Sequence, residues 1–550
     1  MKKLAFILLF LASANLNAAA GIATAHPMAT RAGEKILQQG GNAFDAAVAI
    51  SAALAVVEPY SSGIGGGGFW LLHRSSDGFE TMLDGREKAP LKAHRDMYLD
   101  KAGNVVPGLS MNGPLAAGIP GVPAALEQLS KKYGRLSLKQ SLQPAIKYAK
   151  NGFKVDAHYR RMAGFRLDAL RASPAAAQIF LQNNKVPDEG YTIKQPDLAK
   201  TLALIAEKGA AGFYQGAMAK KLISGVKDAG GIWSEDDFKQ YSTVERQPIT
   251  GQFHEMKITS AAPPSSGGIA LVEILNQLSH YTPGSLEKPQ AIHLAIEAMR
   301  RAYRDRAQFL GDTDFVKVPV ERLLSKNYAL GLSAAIHPEK ATPSYLLPGV
   351  AHENNSRDTT HFSVIDHEGN RVAATLSINY PFGACFVAPG TGVLLNDEMD
   401  DFSAKPGVAN AYGLVGAIAN EIEPGKRMLS SMSPTFLETE DRLAVIGTPG
   451  GSRIITMVLL GSIRFYSGMD VVQIVNSPRF HHQYLPDTVY FEPDAFNAET
   501  IKALEGMGHK LNQADNSWGN MQVVIMDKKT KKITAASDRR GAGQAVVIER

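Results

Sequence analysis

DTTHFSVIDHEGNRVAAT, at residues 358–375, is the segment on which the predicted architecture rests. Residues 359–366 alternate in the manner of a β-strand, residues 366–370 have the composition of a turn, and residues 371–377 (RVAATLS) follow as a second strand. The segment therefore predicts a β-hairpin. Residues 341–358 are polar, rich in Pro, Gly and Asn and without periodicity, which predicts an exposed loop that leads directly into a threonine.

A threonine at the start of a strand becomes chemically informative if the chain is cut in front of it. A threonine hydroxyl is a weak nucleophile until a base takes its proton. A free α-amine, with a reference pKa of about 8, can be that base, whereas the amide nitrogen of an internal threonine is not basic. The hydroxyl of Thr359 could make the cut by attacking the carbonyl carbon of Asp358. Taken alone, Thr359 and Thr360 are better explained as ordinary β-branched strand residues.

Length and composition exclude several classes of protein. The chain has 550 residues, of which 45% are hydrophobic and 20% charged, and its formal net charge is +5. This composition is globular, and the length requires either several domains or one large layered fold. The nearly balanced charge argues against nucleic-acid binding. Cys385 is the single cysteine, which excludes an internal disulfide and a cysteine-based zinc site.

The N-terminus is typical of an export signal. Lys2 and Lys3 precede an apolar run at 4–12 (LAFILLFLA), and residues 18–20 (AAA) fit the cleavage pattern of small residues. The run is too short to cross a bilayer as a helix, so an uncleaved N-terminal anchor is the less favoured alternative. We expect residues 1–20 to be removed and the protein to be exported, to the periplasm of a Gram-negative cell or otherwise to the medium.

Helices are predicted over much of the first half of the chain. Residues 29–39 form the first, and Asn42 caps a second whose small apolar residues suit burial on most sides. Residues 120–340 are expected to be mostly helical. The longest periodic stretch is Pro289–Leu310, and we expect its Arg, Asp and Glu side chains to face water. Residues 61–68 (SSGIGGGG) predict a tight turn rather than a phosphate cradle, because a strand and not a helix follows.

Eight blocks of sequence, in order along the chain, resemble the γ-glutamyltransferase (γ-glutamyltranspeptidase) family of N-terminal-nucleophile hydrolases. One block alone would be modest evidence, but the ordered set is specific and covers nearly the whole chain after residue 20. The blocks are GGNAFDAAVA (40–49), SSGIGGGGF (61–69), DGREKAP (84–90), the hairpin segment (358–375), LLNDEMDDFS (394–403), LSSMSPT (429–435), TPGGSRI (448–454) and PRFHH (478–482).

The resemblance implies an α+β fold, a four-layer αββα sandwich that two autoprocessed subunits form jointly. Cleavage between Asp358 and Thr359 would give a large, mostly helical subunit (21–358) and a small subunit (359–550) that carries the nucleophile, associated as a heterodimer. The implied reaction is cleavage of the γ-glutamyl amide of glutathione and related γ-glutamyl compounds. The γ-glutamyl group would pass to water or to amino-acid or peptide acceptors, without a cofactor.

The resemblance also implies roles for individual residues. Thr359 matches the nucleophile, Ser377 matches a hydroxyl that orients it, and Gly450 and Gly451 match the backbone of an oxyanion hole. Residues that match contacts to the amino-acid head of the substrate are Arg86, Ser430 and Ser431 for its carboxylate, and Glu398, Asp401 and Asn379 for its ammonium. Some relatives carry glutamine at the position of Glu398. Residues 404–415 match a lid loop in which Tyr412 covers the substrate.

Two other functions remain open from the sequence. A cephalosporin or glutaryl acylase would use the same nucleophile but would not need the full amino-acid clamp of Arg86, Glu398, Asp401 and Ser430. A non-catalytic periplasmic protein that binds amino acids or peptides would need no chain cleavage.

The other chemically suggestive side chains favour structural roles. Thr360 and His361 are expected to be structural, and Arg453 is expected to be a structural, ion-paired arginine. Residues 397–401 could be a charged turn or a calcium site, but the family pattern assigns them to substrate. His481 and His482 point opposite ways if they lie on a strand, so no metal site is predicted.

Overall fold

The computed structural model describes residues 19–281, 288–347, 359–405, 407, 408, 410, 414 and 416–549. Four predicted features lie wholly or mostly outside these residues: the export signal, the loop at 341–358, Asp358 and Tyr412. Ala20, expected to end the export signal, is the first residue of a strand and pairs with Ile548. A cut directly after Ala20 would therefore shorten that strand by one residue.

Most strands of the described residues belong to two large antiparallel sheets. The strands are β1 (Ala20–Thr24), β2 (Gly67–Arg74), β3 (Phe79–Asp84), β4 (Phe153–Lys154), β5 (Thr192–Ile193), β6 (Val244–Arg246), β7 (Ile249–Phe253), β8 (Met256–Ser260), β9 (Thr360–Ile365), β10 (Arg371–Ser377), β11 (Thr435–Glu438), β12 (Arg442–Gly447), β13 (Phe480–His481), β14 (Val489–Phe491), β15 (Leu511–Gln513), β16 (Gln522–Asp527), β17 (Ile533–Ser537) and β18 (Gln544–Ile548). The first sheet has the order β18-β1-β9-β10-β2-β3-β6, and the second has the order β17-β16-β12-β11-β8-β7.

Most of the helices precede residue 359. They are α1 (Pro27–Gln38), α2 (Ala43–Val57), α3 (Val122–Lys132), α4 (Leu138–Asn151), α5 (Ala157–Phe165), α6 (Leu167–Ala172), α7 (Pro174–Phe180), α8 (Pro196–Lys208), α9 (Ala211–Tyr214), α10 (Gly216–Asp228), α11 (Glu235–Gln240), α12 (Gly267–Leu278), α13 (Pro289–Phe309), α14 (Val320–Leu324), α15 (Lys326–Ala334), α16 (Ile454–Tyr466), α17 (Val471–Asn476) and α18 (Ala498–Gly506). Among the described residues, none of these helices is long and apolar enough to cross a bilayer.

The two large sheets pack face to face between two layers of helices. Leu71 and Ala373 of the first sheet share one apolar core with Val445 and Val523 of the second. Helices α1 and α2 cover the outer face of the first sheet, while α12, α16 and α17 cover the outer face of the second. This arrangement confirms the predicted α+β fold with four αββα layers.

The predicted hairpin is confirmed, and it occupies the middle of the first sheet. β9 pairs antiparallel with β10, with Thr360 opposite Leu376 and Ile365 opposite Arg371. β1 pairs with the other edge of β9, and β2 pairs with the other edge of β10. β10 and residues 362–365 of β9 are therefore paired on both edges, whereas Thr360 and His361 at the start of β9 are paired with β10 alone.

Helix α2 is buried along its whole length, as its small apolar residues predicted. The side chain of Asn42 caps the helix by accepting hydrogen bonds from the backbone N–H groups of Phe44 and Asp45. The side chain of Asp45 accepts a bond from the N–H of Asn42 in return. This capping box satisfies donors that a helix start otherwise leaves unpaired.

The prediction that the charged residues of α13 face water is wrong. Glu297, Arg300, Arg301, Asp305 and Arg306 are all buried. α12, α15 and α18 pack around this helix and cover most of its polar side, although Gln290 and Gln308 remain exposed. These charges instead bond within the protein: Arg301 Nη1 lies 2.7 Å from Glu297 Oε2, for example. The periodicity of the sequence predicted the helix correctly, but it did not show how many sides of the helix are covered by other helices.

Strands from both sides of the expected cleavage point pair with each other in both large sheets. In the first sheet, β9, β10 and β18 lie among β1, β2, β3 and β6. In the second sheet, β8 pairs with β11, so that β7 and β8 continue the sheet formed by β11, β12, β16 and β17. We therefore expect material cut before Thr359 to elute in native size-exclusion chromatography as one species of the size of the uncut chain. The two fragments should separate only in denaturant. Separate elution of the fragments in native buffer would contradict this packing.

Candidate active site

The predicted site residues converge on one small, buried cavity at the end of the hairpin. Nine of them line it: Arg86, Thr359, Ser377, Asn379, Glu398, Asp401, Ser430, Ser431 and Gly451. Gly450 lines a larger cavity that adjoins the first one at Thr359. These residues come from distant parts of the sequence, and the two sheets with their connecting loops bring them together.

The position of Thr359 follows from strand register. Thr360 pairs with Leu376, so one further step along the antiparallel pair places Thr359 opposite Ser377. Side chains of directly opposed residues have Cβ atoms roughly 5 Å apart on the same face. Thr359 is only 6% exposed, and it lines both cavities. Ser377 Oγ accepts a hydrogen bond of 2.7 Å from the backbone N–H of Asn379, which orients its hydroxyl.

A left-handed residue turns the chain directly after β10. Asn379 has φ = +73°, a conformation that asparagine adopts more readily than most residues. Its side-chain amide donates to the carbonyl oxygen of Asp397 at 3.0 Å. This bond ties the end of β10 to the loop that carries Glu398 and Asp401.

A buried guanidinium lies between the two acids of that loop. Arg86 Nη1 donates to Glu398 Oε2 at 2.5 Å, and Arg86 Nη2 donates to Asp401 Oδ2 at 2.5 Å. Its Nε donates to the carbonyl oxygen of Met428 at 3.3 Å. Arg86 is 1% exposed, so these charge-assisted bonds form away from bulk water, where they are strong.

Burial leaves the acids of this cluster partly uncompensated. Burial raises the pKa of Glu398 to about 7, although the nearby Arg86 acts to lower it. Glu398 Oε1 is buried and accepts no hydrogen bond from a described residue. Burial also raises the pKa of Glu87 well above its usual range. The site therefore offers buried carboxyl oxygens that a cationic ligand could satisfy.

Ser430 and Ser431 are held by residues that the sequence did not single out. Arg306 Nη2 donates to Ser431 Oγ at 3.2 Å, and Arg306 Nε donates to Ser266 Oγ at 3.0 Å. Ser266 in turn donates through its backbone N–H and its hydroxyl to the carbonyl oxygen of Ser430. The one sequence feature that could have pointed to this network is the serine pair at 265–266, which lies between a proline and a glycine.

A glycine turn closes the cavity between β12 and α16. Gly450 has φ = +141° and Gly451 has φ = +56°, both in the region that favours glycine. A Cβ atom on Gly450 would come within 2.5 Å of Met457 Cε. The flexible end of Met457 could move aside, so it is the positive φ of both residues that makes the turn favour glycine. It leads through Arg453 into α16, whose N-terminal end carries a partial positive charge.

The neighbours of Thr359 on β9 have structural partners, as expected. Thr360 Oγ1 donates to Glu58 Oε2 at 2.7 Å, and burial raises the pKa of Glu58 to about 7. His361 bonds through Nδ1 to Thr375 Oγ1 at 2.8 Å, and burial lowers its pKa to about 3. His361 is therefore an uncharged residue packed between the sheets.

The described part of the expected lid loop approaches the clamp. The side-chain amide of Asn410 donates to Asp401 Oδ1 at 3.1 Å, and Leu414 lines the small cavity. The remaining predicted lid residue, Tyr412, lies outside the described residues.

The expectation that Arg453 is ion-paired is wrong. Arg453 is buried, but its Nη1 has no hydrogen-bond partner among the described residues. Its guanidinium lies over the ring of Trp518, 4.4 Å from the ring centroid. It lines the larger cavity, of about 730 Å³, together with Thr359 and Gly450.

One buried cluster has the residue types of a metal site. His293, Glu297 and His509 place potential ligand atoms within 4.8 Å of one another. However, His293 Nδ1 bonds to His509 Nε2 at 2.7 Å, and His293 Nε2 bonds to the carbonyl oxygen of His337. Glu297 bonds to Arg300 and Arg301. Since both nitrogens of His293 and the carboxylate are already engaged, the cluster is a structural network.

Comparison with known sequences places the chain in a family. The sequence model described as gamma-glutamyltranspeptidase matches residues 29–548. The chain belongs to the γ-glutamyltranspeptidase family. This membership confirms the resemblance carried by the eight sequence blocks.

Relatives in this family match over most of their length. The glutathione hydrolase proenzyme of Pseudomonas sp. (strain A14) is 46% identical over 500 residues, which cover 89% of this chain and 86% of the relative. The glutathione hydrolase proenzyme of Escherichia coli (strain K12) is 44% identical over 530 residues, which cover 94% of this chain and 90% of the relative.

Solved structures share the fold of this γ-glutamyltranspeptidase-family chain. Cephalosporin acylase from Bacillus halodurans superposes with a TM-score of 0.85 at 27% identity and covers 96% of both chains. Helicobacter pylori γ-glutamyltranspeptidase gives a TM-score of 0.58 at 43% identity, covering 60% of this chain and 96% of that one.

The hydrogen bond from Arg306 to Ser431 predicts that Arg306, a residue of α13, positions the Ser431 hydroxyl. In Arg306→Met, the Ser431 hydroxyl loses its donor, so we expect KM for a γ-glutamyl donor to rise by roughly 2- to 10-fold, the worth of one hydrogen bond. The value of kcat should change less. Arg304→Met is the control on the same helix, because Arg304 bonds to exposed Gln308 and pairs with Asp305 but does not line the small cavity. Equal kinetics for both variants would contradict the role.

Proposed function

We propose that the chain is an autoprocessed γ-glutamyl transferase and hydrolase, with Thr359 as its nucleophile. The observation that carries the proposal is the position of Thr359, which faces both a glycine turn and a buried cluster of one guanidinium and two carboxyl groups. That cluster has the charges needed to bind the ammonium and carboxylate of an amino-acid head. Family membership, and relatives named glutathione hydrolase proenzyme, support the same reaction.

The first chemical step in this proposal is maturation. The Thr359 hydroxyl oxygen attacks the carbonyl carbon of Asp358, and the peptide C–N bond breaks as the nitrogen takes up a proton. The resulting ester is hydrolysed by water, which leaves a carboxylate on Asp358 and a free α-amine on Thr359. The large and small subunits (21–358 and 359–550) then form the working heterodimer.

The catalytic cycle uses the new amine as a base. It takes the proton of the Thr359 hydroxyl, whose oxygen attacks the γ-carbonyl carbon of the substrate. The backbone N–H groups of Gly450 and Gly451 stabilise the oxyanion, a contribution typically worth on the order of 10²-fold or more in rate per donor. The departing amine takes a proton, and a γ-glutamyl ester remains on Thr359. Water or an acceptor amine then releases the acyl group.

The clamp explains selection of the γ-glutamyl group. Glu398 and Asp401, with Asn379 beside them, accept hydrogen bonds from the α-ammonium. Glu398 Oε1 is a buried oxygen that has no donor among the described residues. Arg86, Ser430 and Ser431 donate to the α-carboxylate. The lid loop, including Tyr412, would cover the bound head. Glutathione supplies both charged groups on one carbon atom next to a short methylene chain.

An acylase is the second candidate, favoured by the structural similarity to cephalosporin acylase. A glutaryl group lacks the α-ammonium, so it would leave Glu398 Oε1, which is buried and has no donor among the described residues, unsatisfied. Comparison of γ-glutamyl and glutaryl anilides separates the two functions. We expect clear preference for the γ-glutamyl compound. A non-catalytic binding protein would cleave neither compound and would remain one chain.

Export of the protein is part of the same proposal. The sequence pattern of residues 1–20 supports a cleaved signal and a periplasmic or secreted location. The substrates would then be γ-glutamyl compounds and amino-acid or peptide acceptors outside the cytoplasm.

Removal of the nucleophile should abolish both maturation and turnover. In Thr359→Ala we expect one intact chain by mass spectrometry and activity lower by at least about 10³-fold. The wild type should yield a small fragment of 550 − 358 = 192 residues that begins Thr-Thr-His. Thr359→Ser, which keeps the hydroxyl and the amine, is the control and should still cleave itself. A Thr359→Ala variant that matures normally would refute the assignment.

The raised pKa of Glu398 predicts a pH-dependent clamp. Its folded-state pKa of about 7 means that Glu398 is mostly protonated below pH 7 and then attracts an ammonium less strongly. The inhibition constant of L-glutamate should therefore rise on the order of tenfold between pH 7.5 and pH 5.5. In Glu398→Gln we expect weaker binding and a flat profile over this range. An unchanged pH slope in Glu398→Gln would exclude Glu398 as the titrating group.

A further inference from the structure

Thr359 stands at the junction of two cavities of different character. The small cavity holds the clamp of Arg86, Glu398 and Asp401. The larger cavity, about 730 Å³, has Thr359, Gly450 and Arg453 in its wall. If the acyl part of an amide lies in the clamp with its carbonyl carbon at Thr359, the amine part must extend into the larger cavity.

Arg453 gives the larger cavity an unused cation. The residue is 7% exposed, and no described residue accepts a hydrogen bond from its Nη1. Stacking on Trp518, 4.4 Å from the ring centroid, and on Tyr490, 5.4 Å from the ring centroid, holds the guanidinium plane in place. The guanidinium as a whole makes no hydrogen bond to a described residue, and Arg453 lies in the cavity wall, so this wall is suited to an anionic ligand.

Of the other charged residues in this cavity, Arg540 and Glu58 are bonded within the protein and Arg161 is exposed to water. Arg540 bonds to Glu492 and to Asp538. Arg161 is exposed and bonds to His158, whose pKa burial lowers to about 4, so that it is uncharged at neutral pH. Glu58, the acid in the wall, is bonded to Thr360. Arg453 is therefore the cation in this wall that is best placed to receive a carboxylate.

We propose that Arg453 binds the carboxylate of the leaving group and of the acceptor, so that the larger cavity selects amino acids and short peptides with a free C-terminus. This inference rests on the proposed function, because it needs a γ-glutamyl group at Thr359. Arginine suits the task because its planar fork can bond both oxygens of a carboxylate. The leaving group of glutathione is a dipeptide with one free carboxylate. The γ-glutamyl part would lie in the small cavity and the dipeptide in the larger one.

Two matched pairs of substrates test the proposal on mature, cleaved enzyme. The donors γ-glutamyl-4-nitroanilide and γ-glutamyl-3-carboxy-4-nitroanilide differ only in a carboxylate on the leaving group. The acceptors glycylglycine and glycylglycinamide differ only in a terminal carboxylate. For the wild type we expect kcat/KM to favour the carboxylated member of each pair by on the order of tenfold or more.

Variants at Arg453 separate recognition from packing. Arg453→Met keeps length and apolar contact with Trp518 but removes the charge, and we expect the preference for carboxylated partners to disappear. Arg453→Lys should retain part of it. An equal fall for both members of a pair in Arg453→Met, or a wild type without the preference, would overturn the inference while leaving γ-glutamyl transfer intact. A correctly cleaved wild type that turns over neither anilide would overturn the proposed function and this inference with it.

Discussion

Antiparallel pairing of β9 with β10 is the constraint on which the active site depends. Both strands are interior to the seven-stranded sheet, so each is hydrogen-bonded on its two edges and cannot slide. A shift of one residue would move every side chain of β9 to the opposite face. The observed register places Thr359 across from Ser377 and buries His361 against Gly447 of the facing sheet. The same pairing thus fixes the nucleophile and the contact between sheets.

Buried charge is the second organising element. Arg86 is bonded to Glu398 and Asp401, and Arg306 is bonded to Ser266 and Ser431, all at one end of the sandwich. Such groups are costly to remove from water unless they find partners. Here the partners are themselves the proposed substrate contacts. An amino-acid head, which carries one charge of each sign, can enter this site without leaving a net uncompensated charge behind.

Several elements were predictable from sequence because their signals are local. The alternation of residues 359–366, the turn at 366–370 and the cap at Asn42 each involve near neighbours along the chain. The charges of α13 and the role of Arg453 were not predictable in this way. Helical periodicity shows that a helix forms, but α12, α15 and α18 decide whether its polar side is covered. An arginine's partner, likewise, is chosen by residues far away in sequence.

The order and chemistry of the sequence blocks were sufficient to predict the family, the four-layer fold and the candidate residues. Residue type and local spacing can be read directly from the sequence, and the resemblance to the family rests on these two properties. The meeting of Arg86, Thr359, Glu398 and Ser431 around one cavity depends on strand order in two sheets, which no local pattern encodes. The same holds for the support from Arg306 and for the larger cavity beside Arg453. The distances between these side chains and their burial are set only when the chain folds. Those distances and that burial determine whether residues of suitable chemistry can act together on one substrate.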